Sequence, residues 1–150
     1  MKILLIHGPN LNLLGSRDKS KYGYLTEDEI FSLIQKEYKD IKFGFFQSNL
    51  EGEIIGRIQD AEDDEYDALI INPGGYAHTS VAIRDALEEC KIIKIEVHLS
   101  HLAKRESFRQ TFITAAGCDG YISGFKESGY LAAVYLAEKL YYKQNNKKSS

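Results

Sequence analysis

The chain has 150 residues and a mass of 17.0 kDa, 43% of it apolar and 27% charged, which predicts one domain and excludes an eight-fold α/β barrel of about 250 residues. Nineteen basic against 22 acidic residues leave a net charge of −3, which disfavours a strongly basic nucleic-acid binder. The two cysteines, Cys90 and Cys118, have neither metal-finger nor CxxC spacing and suggest no disulfide framework, so inert packing is expected of both. The opening apolar run, Ile3–Ile6, is too short for a signal peptide or a membrane span, and the chain reads as soluble and cytoplasmic.

In chain order, apolar runs alternate with helical patterns, the signature of a parallel sheet wrapped by helices. A first strand is expected over Lys2–His7. The polar stretch Gly15–Gly23 follows, carrying Arg17 and Tyr22 between terminal glycines; it suits a mobile lid or a solvated surface loop. Thr26-Glu27-Asp28-Glu29 has the form of a capping box, with Ile30, Leu33 and Ile34 at helical spacing behind it. A second strand is expected over Ile41–Phe46, then a helix capped within Ser48–Glu51 that buries Leu50, Ile54, Ile58 and Ala61. The third strand, Ala68–Asn72, leads to a helix from about Thr79 that buries Ile83, Ala86, Leu87 and Cys90. Strands over Ile92–Val97 and Gly120–Ser123 follow, and a last helix from about Ser128 presents Ala133, Leu136, Ala137 and Leu140 on one stripe.

The tail Lys143–Ser150 is polar and lysine-rich. It is expected to fray, leaving residues 1–142 as one domain. Near-continuous β-branched and aromatic strands imply cover on both faces. The expected architecture is therefore a three-layer α/β sandwich of flavodoxin-like order 2-1-3-4-5, with ligands at the carboxyl ends of strands 1, 3 and 4.

Polar residues gather at those three ends. Strand 1 ends in His7-Gly8-Pro9-Asn10-Leu11-Asn12, strand 3 runs into Asn72-Pro73-Gly74-Gly75-Tyr76-Ala77-His78, and strand 4 ends in Glu96-Val97-His98-Leu99-Ser100-His101. All four histidines of the chain fall there, which a shared crevice explains better than chance. Taken singly, Asn10 and Asn72 could close turns, His78 could start a helix and His98 could be a satisfied core residue. Gly74-Gly75 and Ser100 could present amides to a carboxylate or phosphate. Arg105 and Arg109, four apart, share a face if their segment is helical, ready for an anion or for Glu106. A metal site from Glu96, His98 and His101 is conceivable but not expected. There is no GxSxG elbow, no P-loop and no GxGxxG after a strand. What remains is acid–base chemistry by histidine and tyrosine, with arginines and amides to hold an anion.

The segments Gly8-Pro9-Asn10-Leu11-Asn12, Leu14-Gly15-x-Arg17 and Tyr22-Gly23 resemble the opening of type II 3-dehydroquinate dehydratases. So do Gln47-Ser48-Asn49-x-Glu51-Gly52, Ile71-Asn72-Pro73-Gly74, His78-Thr79-Ser80-Val81-Ala82, Glu96-Val97-His98-Leu99-Ser100, Arg105-Glu106-x-Phe108-Arg109 and Gly129-Tyr130. The resemblance covers nearly the whole chain, in order. It implies a flavodoxin-like fold and reversible loss of water from 3-dehydroquinate to give 3-dehydroshikimate, in the shikimate or quinate pathway. It also implies no metal or organic cofactor, and a dodecamer built as a tetramer of trimers.

By the same resemblance Tyr22 is the base that takes a proton beside the ketone, with Arg17 the leading charge that favours its phenolate. Asn10 stabilises the enolate through an ordered water. His98 protonates the departing hydroxyl, with Glu96 orienting and charging its ring. Asn72, His78 and Arg109 hold substrate hydroxyls, and amides around Leu99-Ser100 take the carboxylate. Arg105 supports the lid and the site charge, and Asp85 reaches a neighbouring subunit's site. Three positions depart from the family pattern. Lys19 stands where a proline is usual, which should leave the open lid more disordered; His101 replaces an asparagine and Lys126 a glycine. Tyr24 is a rival base. A non-catalytic flavodoxin-like binding protein and a flavin or nucleotide binder stay open as other readings, the last by fold analogy alone.

Overall fold

Alternation along the first strand sets the layering: Ile3 and Leu5 belong to the core on one face of the sheet, Leu4 and Ile6 to the core on the other. In the computed structural model, which describes residues 1–148, β1 (Lys2–His7) continues through a single turn α1 (Lys19–Tyr22) and helix α2 (Glu27–Glu37) to β2 (Lys42–Gln47). Helix α3 (Glu51–Gln59) leads to β3 (Ala68–Asn72), α4 (Val81–Glu89) to β4 (Ile93–His98), and β5 (Gly120–Ser123) to α5 (Ser128–Lys148). The strands are parallel throughout in the order β2-β1-β3-β4-β5, the flavodoxin-like order expected from the strand pattern. Helices α2 and α5 cover one face and α3 and α4 the other. No helix among the described residues is long and apolar enough to cross a membrane.

The capping box forms as the sequence predicts. Glu29 N–H donates to Thr26 Oγ1 at 3.2 Å and Thr26 N–H to Glu29 Oε2 at 2.8 Å, worth about 1 kcal/mol to the start of α2. Elsewhere the boundaries move. β2 and β4 each lie one residue later than expected, and α4 begins at Val81 with Ser80 as its cap, Oγ accepting from Ile83 N–H. Because α3 starts at Glu51, Leu50 is the residue flanking it and is 61% exposed rather than buried. On α5 the buried stripe is Tyr130, Ala133, Val134 and Ala137, while Leu136 faces outward. The tail expected to fray from Lys143 is helical through Lys148; Ser149 and Ser150 lie outside the described residues.

Two glycines let the loops after β1 and β3 meet backbone to backbone. Gly8 N–H donates to the Asn72 carbonyl at 2.8 Å, and a Cβ on Gly8 would lie 2.5 Å from the Pro73 carbonyl oxygen. Gly74 has φ +59°, and a Cβ there would lie 2.9 Å from the Pro9 carbonyl oxygen. Any side chain at either position would push the two loops apart.

Candidate active site

The carboxyl ends of β1, β3 and β4, together with α1, enclose a crevice of about 510 Å³, its open mouth included. Asn10, Arg17, Tyr22, Asn72, His78, His98, Leu99, Ser100, Arg105 and Arg109 all line it, so of the expected site residues only Glu96 and Asp85 do not. Three arginines face the crevice and no carboxylate does. The pocket of a net acidic chain is thus built for an anion.

The stretch Gly15–Gly23 lies over this crevice as a short turn, not as an unstructured loop. Asp18 starts α1, its Oδ1 accepting from Ser20 N–H at 2.9 Å and from the Ser20 hydroxyl at 2.6 Å. At the end of that turn Tyr22 is half-buried, and its hydroxyl oxygen accepts from Arg17 Nη2 at 2.9 Å and from Arg105 Nη1 at 3.0 Å. The Arg17 guanidinium also stacks 3.9 Å from the ring centroid. Two cationic donors thus converge on one phenol oxygen. Tyr24, by contrast, is 75% exposed, with the Lys19 ammonium 5.4 Å from its ring centroid, and it does not line the crevice.

Across the pocket, His98 Nε2 is 2.5 Å from Glu96 Oε1, and Glu96 Oε2 accepts from the Thr114 hydroxyl at 2.6 Å. Glu96 and Thr114 are fully buried. Period-two alternation on β4 puts Glu96 and His98 on the same side, which leaves the carboxylate behind the ring and Nδ1 as the nitrogen free for the pocket. The carboxylate fixes the orientation of the ring. His78 is held by a backbone carbonyl instead. Its ring lies 6.2 Å from that of His98, and burial pushes its pKa below the ordinary histidine value, against the hydrogen bond to the Thr111 carbonyl. Nδ1 takes part in that 2.7 Å bond, so the neutral ring offers Nε2, which has no protein partner, as an acceptor to a ligand. The two neighbouring histidines thus have different partners, a buried carboxylate for His98 and a backbone carbonyl for His78.

Asn10 combines both readings open to it. It closes the turn, with φ +67° and its carbonyl accepting from Leu13 N–H at 3.1 Å, and it makes no side-chain capping bond, so its amide is left for the crevice it lines. Arg105 and Arg109 reach the same pocket from two separate 3-10 turns and not along one helical face. Arg109 pairs with Glu106 at 2.8 Å, and Arg105 Nη1 also reaches Ser100 Oγ at 3.1 Å.

Of the four histidines expected in one crevice, only His78 and His98 line it. His7 is buried beneath it, and His101 is exposed and packed against Gly124. No group of three histidine, cysteine, aspartate or glutamate side chains among the described residues is gathered to hold a metal ion. Asp85 is exposed on α4, beside Ile55, Gln59 and Glu89 and outside the crevice. Thr114 and Tyr130 lie behind residues of the crevice, bonded to Glu96 and Asn72. Thr114 carries no motif, whereas Tyr130 does begin the i, i+3, i+4, i+7 series that buries α5.

Burial pushes both cysteine thiols up, Cys118 the further, which keeps them protonated and unreactive. Lys126, where the family pattern has glycine, adopts φ +52° and donates from Nζ to the Ser20 carbonyl at 2.6 Å, tying the lid to the turn before α5.

Known proteins similar to this chain match it over nearly its whole length. The chain is 50% identical over 143 residues to a 3-dehydroquinate dehydratase of Fusobacterium nucleatum, covering 92% of this chain and 97% of that one. It is 46% identical over 143 residues to that of Thermotoga petrophila, covering 93% and 97%. The crystal structure of a type II dehydroquinase from Butyrivibrio crossotus superposes with a TM-score of 0.89 at 44% identity, over 92% of this chain and 97% of the other. That from Propionibacterium acnes gives 0.85 at 35%, over 91% and 96%. The family model for dehydroquinase class II matches residues 1–138, every strand and every lining residue of the crevice included, and the chain belongs to that family.

Proposed function

We propose that the crevice dehydrates 3-dehydroquinate to 3-dehydroshikimate through an enolate, with Tyr22 as base and His98 as acid. The observation that carries the reading is the pairing of Tyr22 Oη with two guanidiniums at 2.9 and 3.0 Å. It makes a phenolate available next to a second, carboxylate-backed acid. The phenolate takes the proton beside the ketone, and the charge that moves to the carbonyl oxygen is met by Asn10 through an ordered water. His98 then gives its proton to the departing hydroxyl, and Glu96 balances the imidazolium before that transfer. Asn72, neutral His78 and Arg109 hold the substrate hydroxyls, the amides of Leu99 and Ser100 take the carboxylate, and Arg105 joins the lid to the site. No metal or organic cofactor enters any of these steps.

In the same reading the enzyme is a cytoplasmic dodecamer, a tetramer of trimers, and Asp85, exposed on α4, serves a neighbour's pocket. Lys19 leaves the open lid less restrained. Direct ultraviolet detection of the conjugated enone product, with a chelator present, tests the reaction, and sedimentation tests the assembly. Turnover that survives the chelator is expected. A folded oligomer that leaves 3-dehydroquinate unchanged would replace this reading with a non-catalytic flavodoxin-like binding protein.

A further inference from the structure

Behind the pocket wall runs a series of four side chains, of which only the last has a part in the chemistry above. Glu27, in the first turn of α2, has Oε2 2.7 Å from His7 Nδ1. His7 Nε2 is 2.7 Å from Tyr130 Oη, and Tyr130 Oη is 3.0 Å from Asn72 Nδ2. His7, Tyr130 and Asn72 are all essentially removed from solvent, at 1%, 0% and 3% exposure. A core position needs none of these polar groups, and burying them is costly unless every bond is made.

The donors and acceptors can be assigned in only one consistent way. A carboxylate only accepts, so His7 carries its hydrogen on Nδ1. A neutral His7 then presents a lone pair at Nε2, to which the Tyr130 hydroxyl donates. The Tyr130 oxygen in turn accepts from Asn72, which turns the amide nitrogen toward Tyr130 and Oδ1 toward Gly74 N–H, 3.2 Å away. A doubly protonated His7 would put two donors on the Tyr130 oxygen and leave the buried hydroxyl hydrogen without a partner, an arrangement that costs a full desolvation penalty. Burial pushes the Tyr130 pKa up, so its hydroxyl keeps the hydrogen that the series requires.

We propose that Glu27, His7 and Tyr130 form a positioning relay that fixes the side-chain amide of Asn72 as a hydrogen-bond donor to a substrate hydroxyl oxygen. The three act on the reaction only through Asn72. They touch no substrate and are positioning residues. The kinetic part of this inference rests on the dehydratase reading; the tautomer of His7 does not.

Two measurements test it. Two-bond 15N–1H spectra of the full chain, with the His7 signals assigned by their loss in His7→Gln, should show Nε2 without a proton near neutral pH; a proton on that nitrogen overturns the relay. In the enone assay, Tyr130→Phe should lower kcat/KM about tenfold in the native chain and less than about twofold in an Asn72→Ala background, because the two share one interaction. Equal losses in both backgrounds would mean that Tyr130 serves only packing. If the native chain itself fails to turn over, the dehydratase reading falls, and the tautomer measurement still decides the relay.

Discussion

Arg105 Nη1 and Tyr22 Oη stand 3.0 Å apart although 83 residues separate them in sequence, so the lid phenol is completed by a guanidinium from the segment after β4. Replacing Arg105 by Gln removes one of two charged donors on that oxygen. Such a bond contributes about 1.5–3 kcal/mol, so kcat should fall roughly 10- to 100-fold. Steady-state kinetics decides this, and an unchanged kcat would leave Arg17 as sole support of the phenol.

Tyr22→Phe should abolish turnover and leave ligand affinity within about threefold, because binding groups elsewhere in the pocket are untouched. Isothermal titration alongside the enone assay separates the two quantities. Retained turnover would remove Tyr22 as base and return Tyr24 to consideration.

Thr114→Val keeps the shape of the side chain but leaves Glu96 Oε2 without its 2.6 Å donor. The expected cost is about 1–3 kcal/mol of stability, since Glu96 is fully buried, with a fall of about tenfold in kcat and little change in KM. Thermal melts and kinetics on the same preparation would read both.

His78 makes the fold sensitive to acid. Its folded pKa lies below the ordinary value because burial disfavours the charged ring; in the unfolded chain it takes a proton near pH 6.5. Between those two values the unfolded state holds a proton that the folded state lacks, so stability is full above the unfolded value and falls as pH drops through that window. Melting curves of the native chain and His78→Gln from pH 7.5 down to 5 should converge as the pH is lowered. Parallel curves would mean that the ring ionises freely in the folded protein.

The strands were legible because their cue is one-dimensional. Residues 68–71 of β3 are apolar whichever way they face, since both faces of the sheet are covered. Leu50 misled because hydrophobicity alone does not say that the residue before Glu51 is outside the first helical turn. His7 and His98 both stand at strand ends in the sequence. Which of them opens into the crevice depends on partners that no local pattern encodes, Glu27 and Tyr130 for His7, Glu96 and Thr114 for His98. Arg105 and Arg109 would share a face only if their segment were one helix; they reach the crevice from two separate turns instead.

Lys126 holds a left-handed conformation that costs a side-chain-bearing residue on the order of 1 kcal/mol, and its ammonium holds Ser20. Lys126→Gly should therefore leave the melting temperature unchanged or slightly raised, while trypsin cuts faster at Arg17, Lys19 or Lys21. Mass spectrometry of early fragments shows which bond opens. An unaltered cleavage rate would mean that the lid is held from its own side alone.

The order of the strands has a consequence in time. Tyr22, Asn10 and Asn72 belong to the first half of the chain. His98 and two of the three arginines of the crevice come with β4 and the segment after it, and β4 takes its place in the sheet by pairing with β3 and β5. The early half therefore emerges with the Tyr22 phenol short of one guanidinium and with nothing in the place of His98 across from it. The crevice is completed only when the later part docks, so a growing chain lacks part of its pocket until its fold is nearly whole.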